Sequence, residues 1–144
     1  MPMITVRFAR PQAGPDIADR IGRAVNELSS EFLKKDPNVT AVTVEEVDPA
    51  RWFVANKSLK DQGLASFWFD VRVVEGTNTR EEKAAFVAAS FARMSALLGP
   101  LHRESYVHVN EVRGDAYGYG ISLRGATRRA MPHDGPDPAL RKDE

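Results

Sequence analysis

The chain has 144 residues, no cysteine and three histidines, and its 20 Lys plus Arg balance 20 Asp plus Glu. That length suits one domain with a real core, while the absence of cysteine excludes disulfides, thiol chemistry and Cys-ligated metals, and His102, His108 and His133 match no metal-ligand spacing, so no metal or cofactor is expected. The balanced charge argues against a nucleic-acid or anionic-membrane partner, no apolar run approaches the ~20 residues of a membrane span, and the start lacks a charged-then-apolar leader, so a cytoplasmic location is expected.

The chain opens Met1-Pro2-Met3-Ile4-Thr5-Val6, the alternation of a strand begun by proline. Removal of the initiator methionine before so small a residue leaves Pro2 a free secondary amine, and such an amine can act as a catalytic base. Acylated, the same nitrogen is an amide with no basicity. Pro15-Asp16 then introduces a helix with Ile17, Ile21, Ala24, Val25, Leu28 and Phe32 on one face, ended by Lys34-Lys35-Asp36-Pro37. A β-branched run follows over Thr40–Val47, then the aromatic turn Trp52-Phe53-Val54-Ala55-Asn56. After the strand around Phe67–Val73, Thr79-Arg80-Glu81-Glu82 is a capping-box pattern opening a second helix. Phe86, Ala89, Met94, Leu97 and Leu98 supply its buried face, and Gly99-Pro100 ends it. A last strand spans Ser105–Val112, the turn Tyr117-Gly118-Tyr119-Gly120 follows, and the polar, proline-rich residues from Gly125 onward read as a tail.

These elements repeat once. Thr5-Val6-Arg7-Phe8 matches Asp70-Val71-Arg72-Val73, and Thr40–Val47 matches Ser105–Val112, both at an offset of 65 residues. Each half reads strand, helix, strand, the content of a βαβ unit with a right-handed crossover. The predicted fold is therefore α+β, an α/β sandwich. Two βαβ units, about 2–59 and 65–124, form a four-stranded mixed sheet with two helices on one face, within a single domain 1–124 followed by a tail 125–144. No further helix is left for the other face, so Phe67, Phe69, Tyr106 and Ala41, read as pointing outward, need cover from another subunit. A homotrimer is expected.

A proline at position two starting the first strand of a duplicated βαβ chain, with an aromatic turn after each unit, resembles the tautomerase superfamily over roughly residues 2–124. That family includes 4-oxalocrotonate tautomerase, malonate semialdehyde decarboxylase, the chloroacrylate dehalogenases and macrophage migration inhibitory factor. The resemblance implies a trimeric core of two βαβ units per chain and an amino-terminal proline as reagent. Lys35-Asp36-Pro37-Asn38-Val39-Thr40-Ala41-Val42 and Ser105-Tyr106-Val107-His108-Val109 look like the matching stretches of macrophage migration inhibitory factor. They carry its pocket lysine onto Lys35, its tyrosine onto Tyr106 and its asparagine position onto His108. The arginines of the other members should fall after the first strand of a unit, where this chain has Gln12 and Thr77 or Asn78. Arg10, Arg72 and Arg80 lie close by.

The chemistry this implies is proton transfer next to a carbonyl, which needs a base near the working pH and a donor to the enolate oxygen. Pro2 and Tyr106 take those roles. Lys35 or Arg72 holds the carboxylate of a small-molecule substrate, His108 lines the pocket, and Trp52 and Phe53 form an apolar wall. Each has a structural alternative: Lys35 complements a helix dipole, Arg72 pairs with Asp70 or Glu75, Tyr106 and His108 pack against a neighbouring subunit, and Trp52 and Phe53 are core or interface aromatics. The expected activity is cofactor-independent keto–enol isomerisation of a small 2-oxo acid. Hydratase, dehalogenase or decarboxylase chemistry on the same scaffold, or a non-catalytic trimeric binding or signalling protein, are the alternatives.

Overall fold

Strand β1 (Met3–Ala9) buries Ile4, Val6 and Phe8 and turns Met3, Thr5 and Arg7 the other way, as a period of two dictates. In the computed structural model, which describes residues 2–119 and the pairs 121–122 and 125–126, helix α1 (Ala18–Leu33) follows. The Asp16 carboxylate accepts from the Ala18 N–H at 2.9 Å to start it. It ends where Lys34 turns left-handed at φ 57° and the Lys34 and Lys35 N–H groups reach back to the Ser29 carbonyl. β2 (Ala41–Glu46) returns parallel to β1.

A short hairpin, β3 (Phe53–Val54) and β4 (Lys57–Ser58), and a one-turn helix α2 (Leu59–Gln62) lead into β5 (Ser66–Val74). Ala55 and Asn56 at the hairpin tip have φ of 53° and 64°, the left-handed pair that favours glycine or asparagine in such a turn. Helix α3 (Arg80–Leu98) carries the complete capping box, with the Thr79 hydroxyl accepting from the Glu82 N–H and the Glu82 carboxylate from the Thr79 N–H. Strand β6 (Tyr106–Val112) then pairs parallel with β5. A two-residue pair, β7 (Ile121–Ser122) with β8 (Gly125–Ala126), follows, and the rest of the expected tail lies outside the described residues.

The sheet order is β2-β1-β5-β6, with the central pair antiparallel. The duplication is visible in its register: Met3 faces Ala41 and Trp68 faces Tyr106, each 38 residues apart, so Met3 corresponds to Trp68 at the offset of the sequence repeat. Both helices cover one face, and Ile4, Val6, Phe8, Phe67, Phe69 and Val71 from the sheet meet Ile21, Val25, Leu28, Phe86 and Met94 beneath them. Fully burying such side chains stabilises the fold by ~1.5–3 kcal/mol each.

One expectation is corrected here. Phe67 and Phe69 do not point outward. Both are 0 % exposed, in contact with each other at a ring separation of 4.8 Å, on the helix side. The residues that turn away from the helices are Met3, Thr5, Arg7, Ala41, Thr43, Trp68, Asp70, Arg72, Tyr106, His108 and Asn110. The run Phe67-Trp68-Phe69 is apolar at three successive positions, so alternation alone cannot choose its inner face. The equivalence of Ile4 with Phe69 does. No described helix is long and apolar enough to cross a membrane.

Candidate functional site

Pro2 is buried at the entry to β1, and its carbonyl accepts from the Ala41 N–H at 3.2 Å, tying it to the first residue of β2. On its other side the antiparallel register, in which Met3 faces Arg72, sets Pro2 opposite Val73 near the end of β5. The loop leaving β5 and the segment entering β2 meet at this end. Lys35 Nζ donates to Thr77 Oγ1 at 2.9 Å, Thr77 Oγ1 donates to the Val74 carbonyl at 2.6 Å, and Asn78 Nδ2 donates to the Leu33 carbonyl at 2.8 Å. Asn78 Oδ1 is buried with no hydrogen-bond partner among the described residues.

Lys35 is half-buried, and desolvation lowers its pKa below the ordinary 10.5 against a smaller, opposing attraction to Glu82. A base whose folded pKa is lowered binds fewer protons folded than unfolded. Its penalty on stability is therefore present at neutral pH and is relieved as pH rises through the folded value toward 10.5. Lys35→Met is expected to leave the melting temperature unchanged or higher at pH 7, with the wild type gaining on the variant between pH 7 and 10. Melting curves at the two pH values check this. A lysine present only to offset the helix dipole gives the opposite sign at pH 7.

Arg72 lies beside Met3 on the open sheet face, with Asp70 at 3.7 Å, the strand pairing anticipated for it. Lys83 on α3 pairs with Glu111.

The remaining expected site residues sit elsewhere. Tyr106 is level with Trp68, which is level with Arg7, five positions along β1 from Pro2 and two strands away. At ~3.3 Å per residue and ~4.8 Å per strand, that separates Tyr106 from Pro2 by about 20 Å within one chain. Tyr106 is 47 % exposed and donates its hydroxyl to the Glu104 carboxylate, which holds its pKa above the ordinary 10 and keeps the phenol protonated. His108 lies midway along the edge strand β6, where its Nδ1 accepts from Trp68 Nε1 at 3.2 Å. Arg7 stacks over the Trp68 ring at 5.8 Å.

Trp52 and Phe53 also lie at the far end, beyond the end of β2, where the Val47 N–H bonds the Phe8 carbonyl. Trp52 is half-buried and Phe53 is 63 % exposed at the hairpin. The hairpin is held by Gln62, whose Nε2 donates to the Val54 and Lys57 carbonyls at 3.1 and 2.9 Å. Gln62 Oε1 lies 2.9 Å from His102 Nε2, and His102 Nδ1 accepts from the Glu104 N–H. Sequence reasoning missed this clamp because none of its residues carries a motif.

One chain thus sets Pro2 and the unforeseen Lys35–Thr77 contact at the same end of the sheet, with Arg72 on the open face there, and keeps Tyr106, Trp52 and Phe53 at the opposite end. Among the described residues, no group of three His, Asp or Glu side chains is placed to hold a metal ion.

No family sequence model and no curated protein sequence matches the chain. Solved structures do. A fused 4-OT, the wild-type Q0 symmetric trimer, aligns with a TM-score of 0.68 at 21 % identity over 85 % of this chain and 97 % of its own. Pt0534 inactivated by 2-oxo-3-pentynoate gives 0.68 at 14 % identity, covering 81 % of this chain and 91 % of that one. The macrophage migration inhibitory factor-like protein of Entamoeba histolytica gives 0.66 at 15 % identity, covering 83 % and 95 %. The chain has the tautomerase superfamily fold. Within that fold the Pro2 end differs from the arginine pattern that the resemblance leads one to expect, because Thr77 and Asn78 are neutral and are spent on Lys35 and on the end of α1.

Proposed function

We propose that the protein is a cofactor-independent keto–enol tautomerase of a small 2-oxo acid, active as a homotrimer, with Pro2 as the proton carrier once Met1 is removed. The observation that carries this reading is the setting of Pro2: buried at the head of the central strand pair, at the sheet end where a half-buried, desolvated lysine is anchored. A free α-amino group titrates near ~7.7–8.0, and burial and a nearby cation both favour its neutral form.

In the enol-to-keto direction the Pro2 nitrogen takes the enol hydroxyl proton. The oxygen electron pair closes the carbonyl, and the carbon–carbon double bond collects the same proton at the adjacent carbon. The amine ends as it began. Lys35 holds the substrate carboxylate. Tyr106, exchanging Glu104 for the substrate oxygen, donates to the developing oxyanion. Because Tyr106 is about 20 Å from Pro2 within a chain, it comes from a neighbouring subunit, as do Trp52 and Phe53 as apolar wall. Met3 and Tyr106, exposed large hydrophobics of the open sheet face, are the surface such a neighbour covers.

The test is the pH dependence of kcat/KM for enol-to-keto conversion of a 2-oxo acid. A base needs the unprotonated amine, so the rate is expected to rise with pH through the amine's titration and then level. A rate that falls over the same interval assigns protonated Pro2 the role of acid, as hydration, dehalogenation or decarboxylation requires. A rate absent with every 2-oxo acid tried favours the non-catalytic trimer.

A further inference from the structure

Resting on the tautomerase reading, we infer that Thr77 is a positioning residue that fixes the Lys35 ammonium at the mouth of the Pro2 site, and that the site takes 2-oxo acids with a single carboxylate. The contact joins the segment that leaves α1 to the loop between β5 and α3. Lys35 follows the left-handed end of α1, Thr77 follows the end of β5, and the neighbouring Asn78–Leu33 bond locks the same two segments one residue further along. Thr77 is itself held, its hydroxyl proton donated to the Val74 carbonyl, so the oxygen presents only lone pairs to the ammonium. One N–H of Lys35 is thereby used for orientation and two remain for an anion. A flexible four-carbon stem is reduced to one placement, which is what binding a carboxylate without a further ordering cost requires.

The count of charges sets the substrate class. Thr77 and Asn78 bring no cation to this end. Arg72 is engaged by Asp70 and Lys83 by Glu111, and Arg80 is exposed on the first turn of α3. Lys35 is the half-buried cation that the Pro2-bearing chain itself sets at this end, so that chain's share of the site neutralises one carboxylate and leaves a second one there desolvated without a partner, which is costly. The rest of the acid is then apolar or neutral.

Thr77→Val removes the acceptor and keeps the shape, and Thr77→Ser keeps the acceptor. Two readouts on the full chain separate positioning from folding. The first is the Lys35 side-chain titration followed by NMR. Loss of an acceptor for the charged form is expected to move it downward in Thr77→Val and back in Thr77→Ser. The second is kinetics with a 2-oxo monocarboxylate and a matched 2-oxo dicarboxylate. Thr77→Val is expected to raise KM for the monoacid roughly 5- to 50-fold with kcat changed less than about threefold, Thr77→Ser to restore it, and the wild type to prefer the monoacid by at least tenfold in kcat/KM. A Lys35 titration and KM unaltered in Thr77→Val, or a wild-type preference for the diacid, overturns the inference. The tautomerase reading fails separately, through a wild type that turns over neither the monoacid nor the diacid.

Discussion

Pro2→Ala is expected to lower kcat for enol-to-keto conversion by about 10²–10⁴-fold, the range a positioned general base supplies, with KM changed only a few-fold. The split follows from the assignments. Pro2 acts on the moving proton, while the carboxylate is held by Lys35, so the variant loses stabilisation made only in the transition state. Folding is expected to survive, because the contact Pro2 makes to β2 runs through its carbonyl to the Ala41 N–H and any residue keeps that group. The variant retains a terminal primary amine without the ring that aims its lone pair, so residual activity above background fits. Steady-state kinetics with a melting curve on the same sample check the result. An unchanged kcat with an intact fold removes Pro2 from the mechanism.

Co-expression of Pro2→Ala with Tyr106→Phe chains is expected to recover roughly a quarter of wild-type activity if subunits assemble at random around a threefold ring, since each site draws its proline from one chain and its tyrosine from the next. Each variant alone is nearly inactive, the second by about 10²–10³-fold for a lost oxyanion donor. The geometry behind this is the register that sets Tyr106 level with Arg7, at the opposite end of β1 from Pro2. Differently tagged chains purified as mixed trimers, each with one complete site of three, are expected to show about a third of wild-type activity. No recovery in mixed trimers rules out a site shared in this way, since with both residues drawn from one chain, no chain in the mixture is complete.

The two halves, their strand–helix–strand content and the capping box at Thr79–Glu82 were legible because they depend on local periodicity and on short hydrogen-bonding patterns, which the chain repeats at a fixed offset. The orientation of Phe67 and Phe69 was not, since Phe67-Trp68-Phe69 offers apolar side chains to both faces. The burial of Ile4, the counterpart of Phe69 in the first unit, breaks the tie. Lys35 was singled out by the resemblance to macrophage migration inhibitory factor, and its contact with Thr77 was not foreseen. Thr77 and Asn78 read as departures from an arginine pattern, and only the meeting of two distant loops shows what they hold. Tyr106 and Pro2 look adjacent in a list of motif residues. Pairing β1 antiparallel with β5 sends the second unit's strands the other way and carries Tyr106 to the far end. The hairpin likewise reads as an aromatic turn, and its tip does adopt the left-handed pair in Ala55 and Asn56. Its anchoring through Gln62 and His102 depends on tertiary contacts that no local pattern encodes.

The most direct measurement is the intact mass of untagged protein from its expressing cell, before and after treatment with 2-oxo-3-pentynoate, the reagent that inactivated Pt0534, a protein of similar fold. A secondary amine adds across such an activated alkyne with no leaving group, so the adduct carries the full reagent mass. The account predicts a chain lacking Met1 that gains one reagent per chain, located on Pro2 by peptide mapping, with activity lost in step. A chain that retains Met1, or that loses activity with the adduct elsewhere, contradicts it.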